Sequence, residues 1–350
     1  MSVWGLADLG WTYYELFHHT EPPPGSLIRF LFDTHGMFFV MAIFLNQEKA
    51  DSRVDVPEAL DFLQIGILFF LLSVMFLLPA VIGVFWGVPL VARELESGTH
   101  SLVWNQTVSR RRWLTTKLGI GMLAAMAAAG LLSLAVTWWA SPIDAAASAA
   151  SADGGDFLPR IEPSVFAARG IVPVGYTAFA FVLGVAAGIV LRRTLTAMAV
   201  TLVAFVAVQV AVPYLVRPYI LPATEETVAI TEESIRGISA DGSGTADALT
   251  VESPAGVWML ANETVDANGV AVSPLPDAVQ NCLPRPGAGP PPNPGGVMAC
   301  FAQLGDLGYQ QHLSYQPASR FWPLQWMETG IFLALAGLLG WFCLRRVRHL

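Results

Sequence analysis

The chain has 350 residues, of which 54% are apolar and 13% charged, where a soluble domain carries about 25% charge; its mean hydropathy is +0.53. The net charge of −8 argues against a nucleic-acid partner, which needs a basic surface, and three cysteines exclude a disulfide scaffold. An acidic, apolar chain reads as a membrane protein with an acidic portion in water, and its near-absence of lysine (Lys49 and Lys117 alone) is a bias associated with bacterial GC-rich genes.

The N-terminal segment 1–64 opens without a basic start followed by an apolar run, so no signal peptide is expected. His18 and His19 beside Glu21 lack a third ligand at metal-binding spacing and read as an interfacial polar patch. Residues 27–45 (LIRFLFDTHGMFFVMAIFL) read as a sixth span, as an amphipathic helix on the outer surface, or as part of a truncated start. A true span would carry Arg29, Asp33 and His35 into the bilayer at about 2.5–3.5 kcal/mol for each charge near its centre.

A membrane-crossing helix needs about 20 mostly apolar residues, because only a helix satisfies its own backbone there. Five stretches qualify: 65–91, 118–140, 171–191, 197–221 and 326–344. The fold class is therefore an all-α polytopic membrane protein with five transmembrane helices, or six if 27–45 crosses. Arginine and lysine gather on the cytoplasmic side. Arg93, Arg110, Arg111, Arg112 and Lys117 follow the first span, Arg192 and Arg193 the third, and Arg345, Arg346 and Arg348 the fifth. These segments, with the C-terminus, are expected in the cytoplasm of a bacterial plasma-membrane protein. Segments 141–170 and 222–325 are expected outside.

Four regions result: 1–64, interfacial or extracytoplasmic; 65–221, four helices with the cytoplasmic loop 93–117; 222–325, an extracytoplasmic domain; and 326–350, the last helix and basic tail. In the outer domain, 284–296 (PRPGAGPPPNPGG) is expected to form neither helix nor central strand, because proline lacks the backbone donor. Cys282 and Cys300 flank it in an oxidising compartment, and a bridge between them is expected to contribute about 3 kcal/mol. Cys343 reads as packing.

Small residues at four-residue spacing (Gly184 and Gly188; Ala125, Ala129 and Ser133) permit close helix contact, within the chain or between subunits. Pro79, Pro89, Pro173 and Pro213 are expected to bend helices or free carbonyls. Glu328 and Gln209 lie near span boundaries and read as interfacial.

No phosphate-binding loop, zinc helix or nucleophile elbow is present in the sequence, so no catalytic residue, metal or cofactor is assigned to the chain. The informative segment is RELESGTHSLVWNQTVSRRRWLTTK at 93–117. The first helix is expected to run on to Gly98, a residue suited to the left-handed conformation that ends a helix. Thr99 then caps a short helix from His100 to about Gln106, with Leu102 apolar, and Ser109 caps the return helix. Arg110 to Arg112 sit at a helix start, where the dipole disfavours them, which points to anionic lipid heads or an acidic partner.

Arg93-Glu94, Glu96, Gly98-Thr99 and Val108-Ser109-Arg110 resemble the Arg-Glu-x-x-x-Gly-Thr and Val-Ser-Arg pattern of type-two ATP-binding-cassette (ABC) exporter permeases, and residues 83–92 look similar to the actinobacterial branch of that family. The resemblance covers about 79–117. It implies an ABC ATPase subunit that binds ATP and magnesium, and a second permease subunit in a homo- or heterodimer. It also implies export of an amphipathic or hydrophobic substrate between the two permeases, with residues 100–106 as the coupling helix and Glu94 and Glu96 at the ATPase contact. Members have six spans, so the poorly formed first span departs from the pattern, as does the long outer segment. The rival function is a membrane-anchored extracytoplasmic interaction or sensor protein working through 222–325. An intramembrane enzyme is disfavoured by the lack of buried acids and bases.

Overall fold

The computed structural model describes residues 73–99, 109–141, 144, 159–240, 245–283 and 294–349. The candidate sixth span at 27–45, the His18–His19 pair and the whole of the expected short helix at 100–106 lie outside them. Contacts divide the chain into two units, one holding Pro222–Pro317 and the other the helices before and after it.

The helical unit bears out the five expected spans. Helices long and apolar enough to cross a membrane are α1 (Ser73–Glu96), α2 (Arg110–Trp139), α4 (Val172–Leu191), α5 (Thr194–Ile220) and the last, α8 (Phe321–Arg346), which follows a 3-10 turn and starts before the expected Trp326. A one-turn helix, α3 (Pro163–Phe166), precedes α4. The α4 sequence is apolar all round, the mark of an enclosed helix, and the other four spans pack around it.

Close approach between α1 and α4 depends on glycine. A Cβ at Gly83 would meet the Ala180 carbonyl oxygen at 2.7 Å, and one at Gly87 the Phe181 carbonyl oxygen at 2.5 Å. Gly184 and Gly188 face the Gly83 to Ala92 stretch in turn, so their small size serves contact within the chain. Ala125, Ala129 and Ser133 on α2 are likewise fully buried.

Of the four prolines, one lies in a π-turn and another closely follows one, a π-turn being the local widening in which a backbone bond spans five residues instead of four. In α1 the turn is Gly83–Gly87, closed by Val88 N–H donating to Gly83 O at 3.0 Å, and Pro89 starts the next helical segment. In α5 the turn is Val212–Val216 and contains Pro213, whose missing donor breaks the regular ladder. The residue that follows this second turn is Arg217.

The unit holding Pro222–Pro317 corrects the all-α expectation. It contains β1 (Thr224–Ala229), β2 (Ile235–Ala240), β3 (Ala246–Val251), β4 (Trp258–Val265), α6 (Asp277–Gln280), α7 (Pro294–Asp306) and β5 (Gln310–Gln316). Strands β1, β5 and β4 form one antiparallel sheet in that order, and β2 pairs with β3. Alternate β5 residues, Gln311, Leu313 and Tyr315, turn inward with the two-residue period of a strand. Leu249, Phe301, Leu304 and Leu313 form a core with almost no exposure.

Buried Gln311 links the two sheets, donating to Leu249 O and to Asn262 Oδ1, both at 2.7 Å. After β4, Asp266 accepts the N–H groups of Val270 and Asn268, which hold its carboxyl below the usual carboxylate range. The expected bridge Cys282–Cys300 is present, with Cα atoms 5.7 Å apart, and Cys343 is buried in the helical core. The expectation that 284–296 forms no helix fails at its end, where α7 begins at Pro294. Proline is compatible with a first helical position, since that N–H has no partner within the helix.

Candidate functional site

The connection between α1 and α2 has the architecture its sequence requires at both ends. Helix α1 stops at Ser97, whose hydroxyl donates to Arg93 O at 2.8 Å, and Gly98 takes φ +74°, the expected left-handed break. The Ser97 and Thr99 hydroxyls lie 2.9 Å apart. On the other side Ser109 is extended, and its Oγ accepts the Arg112 N–H at 3.3 Å, the expected cap of α2. His100 and Leu102 lie outside the described residues.

Pairings among side chains that the sequence names one by one, together with Thr194, hold the two ends in place. Lys117 on α2 pairs with Glu94, donates to Leu90 O at 3.2 Å and lies 4.6 Å from the Trp113 ring centre. Glu96 reaches a third helix: its Oε2 accepts the Thr194 N–H at 3.0 Å and the Thr194 hydroxyl at 2.6 Å, at the start of α5. Arg193 supplies no side-chain cap there, so Glu96 acts in its place. Both acidic residues are thus engaged inside the chain, while Arg93 and Arg110 to Arg112 are exposed. Sequence reading named Glu94, Glu96 and Lys117 separately. The signal it lacked was the pairing, which joins residues 23 and 98 positions apart.

A second polar cluster lies inside the helical unit and corrects the interfacial reading of Glu328. Arg217 and Glu328 are both fully buried. Arg217 Nε donates to Glu328 Oε2 at 2.8 Å and its Nη2 to Oε1 at 3.0 Å, a two-pronged pair. Tyr176 from α4 donates its hydroxyl to Glu328 and accepts from Arg217 Nη2 at 3.2 Å. The guanidinium also lies 4.3 Å from the Phe166 ring centre in α3. One turn before Glu328, Gln325 accepts the Ile171 and Val172 N–H groups and donates to the Phe166 and Arg169 carbonyls, so all its hydrogen-bonding capacity is used. The helical unit therefore does contain a buried acid and base, contrary to expectation. Their atoms are occupied by one another, which suits structural cohesion more than proton transfer.

Gln209 on α5 differs from both. Its amide oxygen and nitrogen are shielded, and neither has a hydrogen-bond partner among the described residues.

Residues 48–217 match the family model described as ABC-2 membrane transporter related. The match supports an ABC-2 type permease. It takes in α1, the α1–α2 connection, α2 and α4, and it ends at Arg217 in α5. This family is one of membrane transport, not itself catalytic, and it implies membrane embedding and an ATPase partner. No curated protein and no solved structure matches the chain.

Proposed function

We propose that the chain is the membrane-spanning permease subunit of an ABC exporter, coupled to a separate ATPase subunit through residues 93–117. The observation that carries this reading is the coincidence of the family match at 48–217 with the α1–α2 connection, which breaks at Gly98 and restarts at Ser109. Residues 100–106, outside the described residues, are the segment this reading assigns to the ATPase contact. Lys117–Glu94 and Glu96–Thr194 hold its flanks against α2 and α5, so force applied to the loop passes into three helices.

In this reading the connection and the C-terminus are cytoplasmic and Pro222–Pro317 is outside, which the arginines at the ends of α1, α2, α4 and α8 support through the positive-inside bias. ATP and magnesium belong to the partner. A second permease subunit completes a pathway for an amphipathic or hydrophobic substrate. The Cys282–Cys300 bridge agrees with an oxidising compartment for the strand-containing unit. That unit has its own core, which also favours the rival reading, an outward-facing interaction or sensor module.

Affinity purification of the tagged chain from its host tests the choice. Stoichiometric recovery of an ABC ATPase supports the permease, and removal of 222–317 should leave that recovery intact. Recovery of outer-face proteins alone would favour the sensor.

A further inference from the structure

Helices α2, α4 and α8 line an apolar groove of about 370 Å³, within the range of roughly 300–1,000 Å³ seen for small-molecule sites. Gly119 and Met122 on α2, Val182 on α4, and Gly337 and Trp341 on α8 are among its walls. Thr115 also lines it, but its hydroxyl donates to Arg111 O at 2.9 Å, back into its own helix. A Cβ built at Gly119 or Gly337 meets no atom within 4 Å, whereas Gly83 and Gly87 are pressed against neighbouring backbone. Glycine at 119 and 337 is therefore not demanded by contacts among the described residues, and it leaves the groove open.

Positive charge stands at one end of this apolar slot. The Arg345 guanidinium lies 4.0 Å from the centre of the Trp341 ring, itself a wall of the groove. Exposed Arg111 sits one helical turn before Thr115 on the opposite wall. An open apolar slot with a guanidinium at its mouth is complementary to an amphiphile with a hydrocarbon chain and a negative head. A planar guanidinium also binds two phosphate oxygens at once.

We infer that the groove holds an acyl chain of an anionic phospholipid whose phosphate is bound by Arg345, with Arg111 adding attraction from the facing helix. A zwitterionic lipid brings the same chain and phosphate, but its amine cancels the net charge, so the site selects on headgroup charge. This assignment does not rest on ATPase coupling and stands or falls separately from it.

The test is native mass spectrometry of the full-length chain in mild detergent with equimolar phosphatidylglycerol and phosphatidylcholine of identical acyl chains. Wild type is expected to retain one phosphatidylglycerol in preference to phosphatidylcholine by about tenfold, the ratio of a 1.4 kcal/mol difference. Arg345→Gln, at an exposed position, should bring that ratio close to one. Gly337→Leu, and independently Gly119→Leu, place a side chain in the open space and should reduce retention of both lipids without changing the elution volume of the protein. Equal retention of the two lipids by wild type overturns the inference, as does an unchanged preference in Arg345→Gln. A lipid-free wild-type dimer that Gly337→Leu converts to monomer also overturns it, assigning the groove to a second copy.

Discussion

In the helices that carry the apolar spans, Arg217 and Glu328 meet with no exposure to solvent, whereas in the strand-containing unit Arg236 and Glu252 meet with 53% and 45% of their side chains exposed. The chemistry is the same and the surroundings differ. Arg217 and Glu328 have no water to fall back on, so each polar atom must find a partner in the chain, and Tyr176 and the Pro163 carbonyl complete the set. Arg236 and Glu252, each about half exposed, keep access to water whether paired or not. The strand-containing unit draws its cohesion from an apolar core and a covalent bridge. The helical unit, with apolar surface on every side, draws specificity from a few buried polar contacts and close glycine packing.

The sharpest way to break this contrast is to remove one partner of the buried pair. Arg217→Ala or Glu328→Ala leaves an uncompensated charge and should cost about 3–5 kcal/mol. The readout is a large drop in the midpoint of thermal unfolding in detergent. Arg217→Met with Glu328→Leu should recover most of the loss, because no charge then remains to desolvate. A single variant as stable as wild type would show that water reaches the pair.

Next in size is the bridge. Cys282→Ser should destabilise the strand-containing unit by about 3 kcal/mol in the chain-entropy estimate. Limited proteolysis should then cut within 222–317 while the spans stay intact. Equal sensitivity in both units would contradict their separateness.

Glu96→Ala removes the acceptor at the start of α5 and should loosen that helix end, a smaller effect than loss of the bridge. Hydrogen exchange at Thr194 and the residues after it should quicken. Smallest of all, Arg236→Ala should change stability by less than about 1 kcal/mol, measured by the same thermal midpoint. A loss comparable to that of Arg217→Ala would erase the distinction between buried and exposed pairs.

The spans were legible because a helix in a bilayer announces itself by about 20 apolar residues in a row. Gly98 and Ser109 were legible for a local reason: a left-handed break and a cap depend on the residue at that position and its immediate neighbours. Cys282 and Cys300 were legible from their place in a segment read as external. The strands were hidden because none of those described exceeds eight residues, and β1 (TEETVA) lies at a sheet edge with four of its six residues exposed, showing no clean alternation. Arg217 and Glu328 were hidden by 111 intervening residues. Glu328 looked like a boundary residue and Arg217 was not singled out at all; the available hint was that ionisable groups in separate spans tend to seek one another. Lys117 was read as one more basic loop residue, since nothing local to it shows that Glu94 lies within reach.

The central claim is that the connection between α1 and α2 transmits work from an ATPase. It is tested most directly by ATPase activity of the chain co-purified with its partner in nanodiscs, compared between wild type and Leu102→Pro. The account predicts that the variant keeps its five spans but loses substrate-stimulated hydrolysis and transport together. Full stimulation and transport in Leu102→Pro would contradict it.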